Sequence, residues 1–229
     1  MLDVSSESIR VREVVRTRPK RQERSRVTER RVIEAATRLF LRDGYLVTTM
    51  AAIAKEAGVA VQTLYLGFGS KLGILSAALD VAIVGDDEPV PLLDRPWMRE
   101  VVELSDGHHA LELFVLQARQ IIERVYPLFA VTQAAAAGEA GELLAENKRQ
   151  RYRGVHTVTG YLRAKPGFAD GLTVDHAADL IYALLSEEQY GLLVNERGWT
   201  PEAWQTWCFG ILDSALFPSA EHDQLCGAY

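Results

Sequence analysis

Cysteine is scarce: Cys208 and Cys226 are the only two in 229 residues. That excludes a disulfide framework, and both are read as unpaired, reduced thiols. His108 and His109 are adjacent rather than at i and i+4, so they do not place two imidazoles on one helix face for a metal. No run of eighteen apolar residues occurs, so no membrane span is expected. The opening MLDVSSESIRVREVV lacks an apolar signal core, and the expected location is therefore the cytoplasm. No convincing apolar–polar alternation is present, which argues against strands. A phosphate-cradling glycine pattern, a G-x-S-x-G elbow and a nucleophile beside an evident base are all missing. Asp175-His176 stands isolated. Glu187-Glu188 interrupts an apolar run and reads as a cap, an arginine partner or a surface kink. No enzyme, no cofactor and no metal is expected.

Apolar residues make up 48% of the chain, enough for a sizeable core. The net charge of −6 argues against a nucleic-acid partner until its distribution is examined. Residues 1–75 carry 14 Lys and Arg against 8 Asp and Glu, whereas residues 76–229 carry 11 against 23. A basic N-terminal module on an acidic body gives a local electrostatic footprint for DNA, and the body would repel DNA from every other face.

The stretch Thr48 to Lys71 reads as two short helices broken by a glycine. Thr49 suits a helix start, and Met50, Ile53, Ala54 and Ala57 recur at helical spacing. Gly58 suits the stop, and a second segment follows from Val59 with Leu64 inward. This is the helix-turn-helix pattern, although any glycine-broken helical hairpin shares it. A first helix is expected over Thr28–Asp43, with Ile33, Ala36, Leu39 and Phe40 buried and Tyr45 and Val47 packing it against the motif. Ser70 is expected to cap a fourth helix. Residues 1–27, with Arg21, Arg24 and Arg26 among eight basic residues, read as a flexible arm, either merely solvated or a source of phosphate and minor-groove contacts.

The run Arg30-x-x-Ile33-x-x-Ala36-x-x-Leu39-Phe40, followed by Gly44-Tyr45-x-x-Thr48-Thr49, Ile53-Ala54, Ala57-Gly58-Val59 and Thr63-Leu64-Tyr65-x-x-Phe68-x-Ser70-Lys71-x-x-Leu75, resembles the TetR family of transcriptional regulators. Arg95-Pro96-Trp97 and Asn195 to Trp199 are similar to a branch of it frequent in actinobacteria. The resemblance implies an all-α homodimer: an N-terminal three-helix helix-turn-helix head on a larger helical ligand-binding and dimerisation body. It implies repression through a double-stranded DNA operator and, in many members, a small-molecule effector.

A recognition helix reads bases through its N-terminal outward residues, here Val61, Gln62 and Ala60. Gln62 suits a bidentate pair with adenine and Val61 a thymine methyl, unless Val61 packs on the head and Gln62 is only solvated. The family's pattern implies phosphate contacts at Thr63 and Tyr65. Thr48 or Thr49 at one helix start and Lys71 at the next are further phosphate candidates. The family usually has a bulky residue two positions after Tyr65. This chain has Gly67, a gap that the basic arm would offset.

The body is expected to be helical throughout. The helix from Asp106 or Gly107 ends near Pro127, Leu128–Ala137 continues as helix, and Glu139–Ala164 is long and polar. Thr173 caps a helix running to about Asn195, and Thr200 caps the last one, with Pro201 its first residue. Trp97, Phe114, Gln117, Tyr126, Phe129, Gln133, Tyr152, His156 and Tyr182 are candidates for an effector pocket, though core packing serves each singly. The acidic body leans toward a neutral or cationic effector. Leu180, Leu184, Trp204, Trp207, Ile211 and Ala215 on the last two helices are the expected dimer surface, or else serve the subunit's own core. The domains are thus an arm over 1–27, a DNA-binding head over 28–75, a body over 76–217 and a tail over 218–229. The expected function is a dimeric repressor released by a small molecule. The alternative is a helical dimer that binds DNA constitutively, or a protein partner, without an effector.

Overall fold

A computed structural model describes residues 18–85 and 91–218, and the described residues contain helices and no strand. Helix α1 spans Arg18–Asp43, α2 Met50–Ala57, α3 Val61–Phe68 and α4 Lys71–Val84. A 3₁₀ turn, Leu92–Asp94, leads to α5 (Pro96–Glu103), α6 (Gly107–Ala134), α7 (Gly141–Arg163) and α8 (Val174–Leu184). A single turn, α9 (Glu187–Tyr190), runs into a π-helical turn at Gly191–Glu196, and α10 covers Pro201–Leu216.

Local chemistry sets most of these boundaries. Thr49 accepts a hydrogen bond from the Ala52 amide at 3.1 Å and Ser70 from Gly73 at 3.0 Å, capping α2 and α4. Thr173 and Thr200 cap α8 and α10 in the same way, and Pro201 opens α10. Such side chains satisfy amides that have no partner in the first helical turn. Gly58 ends α2 with φ +65°, and an added Cβ there would lie 2.9 Å from Arg31 Nη2. That guanidinium donates to the Ala57 carbonyl at 2.5 Å, a second cap on the same helix end.

Two clusters of buried side chains form the core. One fills the body around Leu111, Val158, Ile181, Trp204 and Leu212. The other joins Phe40, Tyr45, Ile53, Leu64 and Leu75 of the head to Val125, Leu128 and Phe129 of α6. The head therefore shares its core with the C-terminal half of α6. Tyr45 adds a polar link, since its hydroxyl donates to Glu139 at 2.6 Å. Burial first, and the Glu139 carboxylate second, push the Tyr45 phenol well above its ordinary pKa. On the other side of the ring, the Lys71 ammonium sits 4.1 Å from its centroid and donates to the Tyr45 and Thr48 carbonyls at 2.8 and 3.0 Å.

Several expectations are corrected. Helix α1 starts at Arg18, so residues 18–27 of the expected arm are its first turns, and residues 1–17 lie outside the described residues. Pro19 suits a first helical turn, the residues after it are good helix formers, and the Thr28 hydroxyl donates back to Arg24 O at 2.9 Å. Helix α6 runs through Pro127 without ending, because Val125, Leu128 and Phe129 are buried on either side of it. Interior proline costs about 3 kcal/mol, a cost this burial can offset. The helix from Thr173 stops at Leu184: Ser186 is extended and its hydroxyl accepts from the Gln189 amide at 3.2 Å, starting a new turn. Val47 does not pack on the motif and is exposed. Residues 86–90 lie outside the described residues; beyond them the chain makes the 3₁₀ turn, and Pro96 opens α5.

The glycines give a direct test of this packing. A Cβ at Gly107 would lie 2.2 Å from Phe217 Cε1, whereas at Gly67 it would meet nothing within 4 Å. In urea denaturation, Gly107→Ala should destabilise by about 1–3 kcal/mol, and Gly67→Ala should stabilise by about 0.5–1 kcal/mol. Lys71→Met should cost about 1–3 kcal/mol through its lost carbonyl and ring contacts; an unchanged midpoint would show that the clip contributes nothing.

Candidate nucleic-acid interface and effector cavity

Helix α3 has one buried anchor, Leu64, and a half-buried Phe68; the rest of it faces out. Ala60, Val61, Gln62, Thr63 and Tyr65 are all exposed, Tyr65 to 53%. Ala60 is the N-cap of α3 and offers no side-chain oxygen to its first amides. The Thr63 amide donates to the Ala60 carbonyl at 2.9 Å, and the positive end of the helix dipole here favours an anion. Thr49 is exposed, although its hydroxyl oxygen is already engaged as a cap. Arg24 and Arg26 are exposed on α1, while Arg21 is helical and its side chain lies outside the description.

Two candidates do not face out. Thr48 is buried and its hydroxyl donates to Gly44 O at 2.8 Å, the carbonyl that its own amide also reaches at 3.3 Å. Lys71 is held against Tyr45 by two carbonyls and the ring, so it clips the head together instead of projecting as a phosphate contact. One exposed residue escaped the sequence reading. Leu66, on the same helix, is 83% exposed. With Thr63, Gly67 and Phe68 it borders a groove of about 220 Å³ whose far side is Ser25, Thr28, Glu29 and Val32 of α1. The signal was present: Leu66 stands two residues past the buried Leu64, off the helix's inward face.

The body holds a cavity of about 530 Å³. Leu79 and Ile83 of α4 line it, with Trp97, and with Phe114, Val125 and Phe129 of α6. Helix α7 supplies the opposite wall, including Lys148, Arg151 and Arg153, and Glu187 of α9 closes it. Volume and apolar character suit a small-molecule site. Of the nine pocket candidates, the structure brings Trp97, Phe114 and Phe129 to the cavity. The other six do not line it. Tyr126 stacks between Phe129 and Tyr190 and abuts Gly191. Tyr152 donates to Asp179 at 3.2 Å, and His156 Nε2 is 2.9 Å from Asp175, so both bind α7 to α8. Tyr182 lies under the Arg151 guanidinium, 4.2 Å from ring centroid to Cζ. Gln117 is half-buried on α6 and Gln133 is exposed. Sequence periodicity finds buried faces, but it does not say which buried face borders a void.

Charged groups on the cavity wall are paired. Arg151 forms an ion pair with Glu187, and Lys148 one with Glu188 at 2.5 Å. Burial pushes the Glu187 carboxyl up, against the pull of Arg151. Burial acts on Glu188 too, but the hydrogen bond from Lys148 and the charge of Arg151 bring it below the ordinary carboxylate value.

Of the expected dimer residues, Leu180 and Ile211 are exposed, and Leu184, Trp207 and Ala215 are half-buried, with Trp207 packed edge-on to Trp199. Trp204 is fully buried against Tyr190 and belongs to the subunit's own core, since it faces inward on α10 with Cys208 and Leu212. Burial pushes the Cys208 thiol up to about 12, so it stays protonated and unreactive at neutral pH.

Residues 32–78 match the family described as bacterial regulatory proteins, tetR family. The HTH-type transcriptional regulator SrpR of Pseudomonas putida is 33% identical over 86 residues, which are 36% of this chain. The chain thus spans 40% of that relative's length. Among solved structures, NalD of Pseudomonas aeruginosa, described as the secondary repressor of the MexAB-OprM multidrug efflux pump, superposes with a TM-score of 0.62 at 20% identity, over 87% of this chain and 99% of that one. FadR of Bacillus subtilis, solved in complex with stearoyl-CoA, gives 0.64 at 20% identity over 81% and 98%. These relatives do not support the expected actinobacterial branch, whose marker segments do structural work here: Pro96 starts α5, and Gly198, at φ +75°, makes the turn before α10. Over residues 32–78 the chain is thus similar to the tetR family of bacterial regulatory proteins, and the helices around that segment share the fold of NalD and FadR.

Proposed function

We propose that the chain is a cytoplasmic, dimeric repressor that binds a pseudo-palindromic DNA operator and is released by a small molecule held in the body's cavity. The observation that carries this reading is the outward row on α3: Val61, Gln62, Thr63 and Tyr65 stand free on a short helix whose only fully buried anchor is Leu64. An eight-residue helix so presented fits the major groove with its N-terminal residues at the base edges. Gln62 and Val61 read bases in this account, Thr63, Tyr65 and the open α3 N-terminus hold phosphates, and Arg24 and Arg26 add charge from α1.

The empty position at Gly67 takes no contact to DNA and costs nothing in packing, since a side chain there would have room. The dimer forms through the outer faces of α8 and α10, where Leu180, Leu184, Trp207 and Ile211 leave apolar surface uncovered. The cavity supports the effector part of the reading, because its α4 wall is the helix that joins head to body. A ligand acts by binding the two head orientations with different affinity.

Three measurements check this. Gln62→Ala should weaken operator binding in a mobility-shift assay by about 1–3 kcal/mol and relax discrimination at one base pair of each half-site. Replacing Arg24 and Arg26 together by Gln should lower the slope of log affinity against log salt by about 2 per subunit, and an unchanged slope would remove both from the interface. The double variant Leu180→Glu, Ile211→Glu should sediment as a monomer at micromolar concentration and lose high-affinity operator binding; a stable dimer would place the interface elsewhere.

A further inference from the structure

We propose that the body's cavity takes an amphipathic anion, an apolar body ending in a carboxylate, with the head group received by Arg151 and Lys148. This deepens the reading of the cavity as the effector site and rests on it. The walls are of two kinds. Phe114, Phe129 and their neighbours on α4 and α6 are apolar, whereas the cationic groups all come from α7. Lys148, Arg151 and Arg153 line the cavity against one acid, Glu187. The acids that pair with Lys148 and Arg153, Glu188 and Glu146, stand outside the lining. These ion pairs are therefore oriented with their positive ends on the void.

Donors also outnumber acceptors there. A guanidinium has five N–H groups. In Arg151, Nη1 donates to Glu187, and Nη2 lies 3.7 Å from Glu188, beyond hydrogen-bond reach. The Lys148 ammonium gives one of its three protons to Glu188. A carboxylate is the acceptor whose geometry suits a guanidinium. A cationic ligand would meet like charge on α7, and an uncharged one would leave the excess positive charge of the wall unbalanced. The overall acidity of the body pointed toward a neutral or cationic effector, but the sum of its charges says nothing about which of them face this void.

Isothermal titration calorimetry of the full-length protein with three probes of one chain length tests this: dodecanoate, dodecan-1-ol and dodecyltrimethylammonium, each below its micellar concentration. Dodecanoate should bind about tenfold or more tighter than the alcohol, with the ammonium weakest. Lys148→Gln, and separately the charge-neutral pair Arg151→Gln with Glu187→Gln, should each erode that preference. The pair removes both buried charges together, so it does not strand one. Gly154 lines the cavity and an added Cβ there meets nothing within 4 Å, so Gly154→Phe should fill the space and abolish binding. If the alcohol or the ammonium equals dodecanoate while Gly154→Phe still blocks it, the anion inference is overturned and the cavity reading stands. If no probe binds, or Gly154→Phe has no effect, both fall.

Discussion

Leu79, Val125 and Phe129 are packed into the head's core and also line the cavity of the body. Side chains in a close-packed interior transmit displacement because no free volume absorbs it. A molecule that fills the cavity therefore presses on the same three side chains that hold α4 and α6 to the head. Two polar links reinforce this contact. Arg124 of α6 donates to the Ala82 and Ile83 carbonyls at the end of α4, at 3.2 and 3.4 Å, and Tyr45 reaches Glu139 in the turn between α6 and α7. The head is oriented by the body through these contacts.

Within the head, inward and outward residues divide the work. Leu64, Ile53 and Phe40 fix three helices, and Thr48 and Lys71 spend their polar atoms on the turn between α1 and α2. On α3, what remains outward is polar or small, apart from Val61, Tyr65 and Leu66. A head stiffened in this way presents α3 without further ordering, which lowers the entropic cost of binding.

The sequence was most legible where structure follows from neighbours in the chain. Thr49, Ser70, Thr173 and Thr200 cap the helices expected of them, and Gly58 stops α2 with a positive φ. Leu64 points inward and the α3 surface residues point outward, as the helical spacing indicates. Where long-range contacts decide, the sequence was a weaker guide. Pro127 reads as a stop, yet the burial of Phe129 and Leu128 carries α6 through it. Lys71 reads as a phosphate contact until the Tyr45 ring and carbonyls are seen around it. Trp204 and Trp207 share one apolar stripe, yet Trp204 is packed into the core beside Tyr190 while Trp207 stays half-buried against Trp199. The cavity is the least legible feature, because a void depends on how the helices around it diverge. Glu187 did stand out in its apolar run, and an arginine is its partner.

Amide hydrogen exchange tests most directly whether head and body share one cooperative core. Residues 74–79 of α4 and 125–132 of α6 should open with the same free energy and respond together when Tyr45 is changed to Phe. If the head exchanges by itself while 125–132 keeps the protection of the body, the two are independent units, and occupancy of the cavity has no packed route to α3.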